Sequence, residues 1–146
     1  KGQNADGSFF ENYNPMTGEW SGEKHHLYMG NYAVPALVAY HELTQDKEVL
    51  SALEKAVHYL VGANKDTVPT VINALAYLYL RTGKIEYVQD AENSLKYLFS
   101  QQQVSSDPLW DGMIYKKLIY HRPNSYLFSV PWVFAALEEN FEKQGL

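Results

Sequence analysis

The feature that most constrains the fold is an internal repeat. When the sequence is shifted by 38 residues, Thr44 falls on Thr82, and six further positions then agree in identity or character. They are Glu48 with Glu86, Leu50 with Val88, Glu54 with Glu92, Val57 with Leu95, Tyr59 with Tyr97, and Leu60 with Leu98. A period in this range is typical of stacked αα-hairpins, none of which buries its apolar face alone. We therefore expect an all-α chain of αα-hairpin repeats.

A Val-Pro dipeptide marks the apolar run in each repeat. The dipeptides begin at Val34, Val68 and Val130, and the first two lie 34 residues apart, so the second unit is expected to carry one extra helical turn. Each opens an inner helix that is apolar around most of its circumference, which predicts burial on nearly all sides. These inner helices are predicted at about 32–43, 68–80 and 126–141, and the third has no outer partner before the chain ends.

The predicted outer helices have one apolar stripe each. Local signals predict where the helices begin and end. Asn31 is a candidate N-cap of the first inner helix, and Pro35 falls near its first turn. Asp46 is predicted to cap the first outer helix, and Gly83 follows the second inner helix as a C′ glycine. Apolar inner helices that alternate with amphipathic outer helices indicate two concentric layers. An open solenoid shares the period, and it stays the alternative to a closed toroid.

Composition limits the possible partners. The chain has 146 residues, 46% of them hydrophobic, which predicts a single helical domain over residues 1–146. A net charge of −5 argues against nucleic acid or an anionic membrane as partner, and no apolar run reaches transmembrane length. The absence of cysteine excludes a disulfide scaffold and a Cys-ligated zinc. Because the chain begins at Lys1 without a signal-peptide pattern, we expect either a mature protein or an excised piece.

Two long segments, residues 1–30 and 102–129, lead into inner helices, and we expect them to lie at one end of the domain. A β-hairpin is predicted at 8–22, because aromatic runs flank a turn with Pro15 and Gly18, and a second short strand pair is predicted within 102–129. Loops held by a rigid scaffold commonly carry function. The candidate site residues are therefore those of these two segments.

The turn and loop motifs resemble those of one group of proteins. Gln3 followed by Asp6-Gly7-Ser8-Phe9 resembles the Q-x-x-D-G-S-[FW] loops of (α/α)-toroid carbohydrate-active proteins. Residues 40–46, YHELTQD, and 78–84, LYLRTGK, look like the L-Y-x-x-T-G-D turns of six-hairpin glycosidases, N-acylglucosamine epimerases and toroidal uronate lyases or C5-epimerases. The resemblance implies an (α/α) toroid. Such toroids have five to seven hairpins and this chain supplies about two and a half, so it implies a terminal fragment or half of an assembly.

Carboxylates in the long segments are the candidates for acid–base chemistry, because glycoside hydrolysis uses two carboxyl groups. Asp111 is the first candidate acid, since its neighbours Trp110 and Gly112 place it beside an aromatic ring that would favour protonation. Its alternative role is to cap or turn the loop. Glu11 and Glu19 lie on opposite arms of the predicted hairpin, where they either face each other or face solvent.

A uronate substrate would shift the chemistry to tyrosine. β-Elimination or epimerisation uses a group that neutralises the carboxylate and a side chain that moves a proton. Tyr115 is the candidate for the proton transfer, and Tyr28 and Tyr120 are further candidates. His121 and Arg122 are candidates to bind the carboxylate, because arginine offers a planar fork of donors. Their structural alternative is an ion pair with a nearby glutamate.

The remaining candidates are aromatic residues and histidine that would stack on or bind sugar rings: Trp20, Trp110, Tyr13, Tyr28 and His25. No metal-binding motif is present, and we expect no metal and no cofactor. Tyrosines on the inner helices, such as Tyr40, Tyr77 and Tyr79, are assigned to the core, and His41 is assigned an ordinary structural place.

These observations favour a secreted or periplasmic carbohydrate-active enzyme, or a fragment of one, that hydrolyses, eliminates or epimerises a glycan or uronic-acid polysaccharide. The alternative is a non-catalytic helical-repeat module that binds glycan or protein. A homo-oligomer, or the missing remainder of the toroid, is expected to cover the third inner helix, where Trp132, Phe134 and Leu137 lie.

Overall fold

The computed structural model describes residues 2–22, 27–63 and 68–100, together with residues 106 and 142. Within them the elements are β1 Asn12–Asn14, β2 Glu19–Ser21, α1 Leu27–Thr44, α2 Lys47–Ala63, α3 Val68–Thr82 and α4 Ile85–Ser100. The described part is thus mostly helical, with four helices and one two-stranded antiparallel sheet. The coarse prediction of a helical chain with a short β-hairpin near its N-terminus is confirmed.

The helices form two antiparallel hairpins, α1 with α2 and α3 with α4, and α3 also packs against α1 and α2. The inner helix α3 is the centre of the core. Its buried side chains run almost without interruption, because neighbouring helices cover it on several sides: they are Val71, Ile72, Ala74, Leu75, Ala76, Tyr77, Leu78 and Tyr79. The predicted burial of this second inner helix is confirmed, including that of its two tyrosines.

The repeat of 38 residues is visible in the turns that end α1 and α3. Thr44 and Thr82 occupy equivalent places, and the hydroxyl of each donates to the carbonyl four residues earlier, at 2.8 and 2.7 Å. The next residues, Gln45 and Gly83, both have positive φ, at 54° and 69°, and each N–H donates to the carbonyl four residues earlier. The C′ role of Gly83 is confirmed. Gln45 adopts the same left-handed conformation without being glycine.

Helix α2 begins as its sequence predicts. The carboxylate of Asp46 accepts a hydrogen bond from the N–H of Glu48 at 2.8 Å, and its carbonyl accepts one from the N–H of Leu50 at 3.1 Å. Both bonds are those of an N-cap residue, which satisfies amide groups that have no partner inside the helix. The buried stripe of α2 includes Leu53 and Val57.

The start of α1 was predicted incorrectly. The helix begins at Leu27, five residues before the predicted start, so Asn31 lies inside it and is no N-cap, and Pro35 lies in its interior. The reason is local: Leu27, Tyr28 and Met29 are apolar residues that continue the helical pattern upstream of Gly30. Proline removes one backbone donor from the interior of this helix.

The predicted burial of α1 on nearly all sides is also wrong. Val34 and His41 are buried, whereas Tyr32, Tyr40 and Leu43 are 73%, 55% and 85% exposed. The described neighbours α2 and α3 cover only one face of α1, so its second apolar face has no cover within the described residues. The assignment of Tyr40 to the core is corrected accordingly.

The third predicted inner helix, at 126–141, and the strand pair predicted within 102–129 lie outside the described residues. None of the helices that the structure describes combines the length and the apolar character needed to span a bilayer.

Candidate functional site

The N-terminal β-hairpin is held by a turn whose residues match their sequence signals. The side-chain oxygen of Asn14 accepts hydrogen bonds from the N–H groups of Met16, at 2.9 Å, and Thr17, at 3.4 Å. The N–H of Gly18 donates to the Asn14 carbonyl at 2.8 Å, and the φ of 74° at this position is accessible to glycine without steric cost. Strands β1 and β2 are thereby brought into register.

That register places two of the predicted sugar-binding residues side by side. Tyr13 pairs directly with Trp20 across the strands, and their ring centroids are 4.5 Å apart at an interplanar angle of 36°. Such aromatic pairs contribute about 0.5–1.5 kcal/mol beyond the area they bury. The Trp20 ring also covers Gly2, where an added Cβ would lie 2.7 Å from the ring. Trp20 therefore attaches the hairpin to the N-terminal loop, and Tyr13, 51% exposed, presents the freer aromatic surface.

Glu11 and Glu19 do not face each other. Glu19 pairs with Asn14, three residues along the strand from Glu11, which is a separation of roughly 10 Å. Alternation of side chains along a strand also directs them to opposite faces of the hairpin. Both glutamates are exposed, and Glu19 accepts a hydrogen bond from the hydroxyl of Thr17 at 3.1 Å. The register therefore places the two carboxylates apart, and both face solvent, which is the second of the two alternatives predicted for them.

The loop with the Q-x-x-D-G-S-F motif docks on helix α2. The amide of Gln3 donates to the carbonyl of Ala52 at 2.8 Å and to that of Gly7 at 3.2 Å. Gly7 has a φ of 94°, and an added Cβ would overlap the backbone carbonyl of Lys55. Only glycine meets both conditions, since its backbone approaches α2 more closely than any side chain allows.

The rest of the motif closes the loop on itself. Ser8 is buried, and its N–H and hydroxyl both donate to one carboxylate oxygen of Asp6, at 3.0 and 2.6 Å. Phe9 packs against the apolar core and forms an antiparallel bridge with Gln3. Each quoted residue of the motif therefore has a structural role in this chain.

A shallow groove of about 360 Å³ lies beside the docked loop, and none of the predicted site residues lines it. The lining residues are Gln3, Lys47, Glu48, Ser51, Ala52 and Lys55.

The other predicted site residues fall elsewhere. Tyr28 lies in the first turn of α1, and its side chain is outside the described part of the structure. The candidates that lie wholly outside the described residues are Asp111, Tyr115, Trp110, His25, His121 and Arg122. Within the described stretches, no three metal-ligating side chains come together.

Sequence reasoning missed a buried polar pair between the inner helices. His41 Nδ1 lies 2.7 Å from the hydroxyl of Tyr77, and both residues are almost fully buried. The guanidinium of Arg81 lies over the Tyr77 ring, 5.1 Å from its centroid. The signal was present, because a tyrosine in the middle of an apolar helix needs a partner for its hydroxyl, and His41 is a polar residue near the end of the neighbouring apolar helix.

A second missed cluster joins α2 to the start of α4. One carboxylate oxygen of Glu54 accepts hydrogen bonds from the Lys84 ammonium and the Tyr87 hydroxyl, both at 2.8 Å. The hydrogen bond from Lys84 lowers the pKa of Glu54 below 4.5, while burial and the Glu54 contact raise the pKa of Tyr87 to about 12. Glu54 is therefore ionised and Tyr87 protonated at neutral pH. The cluster therefore links the first hairpin to the second.

Comparison with known proteins adds no relative: no protein-family model, curated protein or solved structure matches the chain.

Proposed function

We propose that this chain is part of a carbohydrate-active protein, and that the N-terminal β-hairpin supplies an aromatic contact to the glycan. The single observation that supports this proposal most is the Tyr13–Trp20 pair. The Trp20 ring packs on the N-terminal loop, and the Tyr13 ring beside it is exposed. Aromatic faces bind the apolar faces of sugar rings because both surfaces are flat and weakly hydrated. A braced pair loses little conformational entropy when the sugar binds.

The proposed architecture is an incomplete (α/α) toroid. It is supported by the sequence resemblance and by the order of the two hairpins, in which α3 is enclosed by α1, α2 and α4. The equivalent threonine-centred turns at the ends of α1 and α3 also support repeated hairpins of one kind. An open solenoid is the alternative architecture, and it accommodates the same two hairpins.

If the protein is an enzyme, its reaction on a glycan or uronic-acid polysaccharide (hydrolysis, elimination or epimerisation) is assigned to residues of the second long segment. In this proposal Asp111 and Tyr115 are the catalytic residues, and His121 and Arg122 bind a carboxylate. The non-catalytic module is the second candidate function. One observation favours it: the two carboxylates of the hairpin, Glu11 and Glu19, diverge and so do not form a pair across one glycosidic bond.

Binding is tested by calorimetry with polygalacturonate, alginate and a neutral glucan oligosaccharide as probes. We expect one probe to bind, and Tyr13→Ala to weaken it by about five- to thirtyfold, equivalent to about 1–2 kcal/mol of lost apolar contact. Met16→Ala is the matched control, because Met16 lies on the same hairpin and is 91% exposed without contributing to the aromatic pair. Absence of binding to all three probes, or equal losses in both variants, contradicts the proposal.

Enzymatic activity is tested on whichever probe binds. Hydrolysis releases reducing ends, while elimination creates an unsaturated product that absorbs in the ultraviolet. We expect Asp111→Asn to abolish hydrolysis, or Tyr115→Phe to abolish elimination, with binding retained in either case. Binding without turnover by the unaltered chain selects the non-catalytic module.

A further inference from the structure

The two faces of the N-terminal β-hairpin carry different side chains. Tyr13 and Trp20 pair directly across the strands, so their rings lie on the same face. Side chains alternate along a strand, which places Glu11 on the face of Tyr13 and Glu19 on the other face. We call Glu11, Tyr13 and Trp20 the aromatic face. All three residues are exposed, so a ligand that reaches the rings also reaches a carboxylate.

The segment that carries the aromatic face is acidic. Residues 2–22 contain the carboxylates of Asp6, Glu11 and Glu19, and they contain no lysine, arginine or histidine. Lys47 and Lys55 of α2 line the groove beside the docked loop, and no residue of the hairpin lines that groove. The hairpin therefore offers a bound ligand carboxylate groups and no cation of its own.

We propose that the sugar unit that stacks on the aromatic face is a neutral sugar, and that Glu11 determines this specificity. The inference rests on the proposed function, in which Tyr13 contacts a glycan. The Glu11 carboxylate accepts hydrogen bonds from hydroxyl groups of the stacked sugar, and such bonds are stronger than those to a neutral acceptor. A carboxylate has several acceptor positions and no donor, so it suits a ligand whose polar groups are hydroxyl donors.

The same carboxylate disfavours an acidic sugar. Residues 11 and 13 are roughly 7 Å apart along the strand, so a uronate stacked on Tyr13 brings its own carboxylate to a similar distance from Glu11. In water, two like charges at this distance repel each other enough to weaken binding about threefold. The uronate carboxylate would also lose water beside the rings without gaining a cation of the hairpin as its partner. Both effects act against a uronate and neither acts against a neutral sugar.

A neutral sugar at the hairpin has consequences for the ligand and for the reaction. Among the three glycan probes, the neutral glucan should bind more tightly than polygalacturonate or alginate, whose units all carry a carboxylate. Among the reactions considered for an enzyme, a neutral glycan allows hydrolysis. Elimination and epimerisation require a uronate, because a proton is abstracted beside its carboxyl group.

Calorimetry at low ionic strength tests the inference with Glu11→Gln, which removes the charge and keeps the shape of the side chain. The probes are neutral glucan and polygalacturonate oligosaccharides of equal length. We expect Glu11→Gln to weaken glucan binding about fivefold, through the loss of charge-assisted hydrogen bonds. It should strengthen polygalacturonate binding about threefold, through the loss of repulsion. The preference for glucan then falls about tenfold. A variant that merely unfolds loses affinity for both probes, so opposite changes identify a role in specificity.

Glu86→Gln is the matched control, because Glu86 is exposed in the first turn of α4 and its replacement changes the net charge of the chain equally. It should leave the preference for glucan unchanged. Equal effects of Glu11→Gln and Glu86→Gln overturn the inference, since net charge alone then sets the preference. Polygalacturonate binding that exceeds glucan binding and is weakened by Tyr13→Ala also overturns it, and leaves the proposed function standing. Binding of neither uronate nor glucan overturns both.

Discussion

Replacing Gly7 by alanine should destabilise the protein far more than the same replacement at Gly83. Both glycines have positive φ, at 94° and 69°, so an alanine at either position is strained by about 1–2 kcal/mol. Alanine also restricts the unfolded chain, which offsets about 0.4–1 kcal/mol of that strain. At Gly83 nothing lies within 4 Å of an added Cβ, so we expect a net loss of about 1 kcal/mol or less.

At Gly7 the added Cβ would also overlap the Lys55 carbonyl, which belongs to the backbone of α2 and cannot move aside. The loop must then leave the helix. The loss is limited by what docking contributes: about 1 kcal/mol for the Gln3 hydrogen bond to Ala52, and about 1–2 kcal/mol for the partial burial of Phe9. We therefore expect Gly7→Ala to cost about 2–3 kcal/mol in total.

Urea denaturation followed by circular dichroism measures both variants. With a typical slope of about 1.5 kcal/mol per molar urea, the midpoint should fall by about 1.3–2 M for Gly7→Ala and by about 0.5 M for Gly83→Ala. Limited proteolysis should cut the N-terminal loop faster in the Gly7 variant only. Equal midpoints for the two variants would refute the docking of this loop on α2 through Gly7.

Three further predictions follow from the polar contacts and the turns. Tyr77→Phe leaves His41 without its buried hydroxyl partner and should cost about 1–3 kcal/mol by urea denaturation; a loss below 0.5 kcal/mol would indicate that the pair is not formed. The folded state lowers the pKa of Glu54, so the stabilisation that ionised Glu54 gives the fold is complete above pH 4.5 and is lost as pH falls through the lowered pKa. Glu54→Gln should therefore flatten the acid side of a plot of stability against pH. An unchanged acid side would contradict the contact with Lys84. Gly18→Ala should cost about 1 kcal/mol or less, since its φ is positive and its surroundings are open; a greater loss in thermal unfolding would show that the turn contacts other parts of the protein.

The elements that were predicted correctly are those defined by neighbours in sequence. Asp46 caps α2 and Gly83 ends α3, because capping and left-handed turns depend on a few adjacent residues. The β-hairpin followed from the turn around Pro15 and Gly18 for the same reason. The prediction of Asn31 as an N-cap was wrong, because several positions compete to begin a helix and the apolar residues upstream of Asn31 extend α1 to Leu27.

The candidate site was less predictable, since its geometry depends on register and on contacts distant in sequence. Composition identified Tyr13 and Trp20 as sugar-stacking candidates, and only the pairing of β1 with β2 made them neighbours. The same register separated Glu11 from Glu19. No local sequence pattern predicts which side chains become neighbours across two strands, because a shift of one residue in strand pairing moves every side chain to the other face.

By itself the sequence determined that this chain forms repeated helical hairpins, because a 38-residue shift superimposes their turns and stripes. Which apolar face is buried was decided only by tertiary structure. Tyr40 and Tyr77 lie on similarly apolar inner helices, yet one is 55% exposed and the other is enclosed. The physical reason is the number of neighbours: α3 packs against three helices, whereas the described residues supply α1 with two, both on one side.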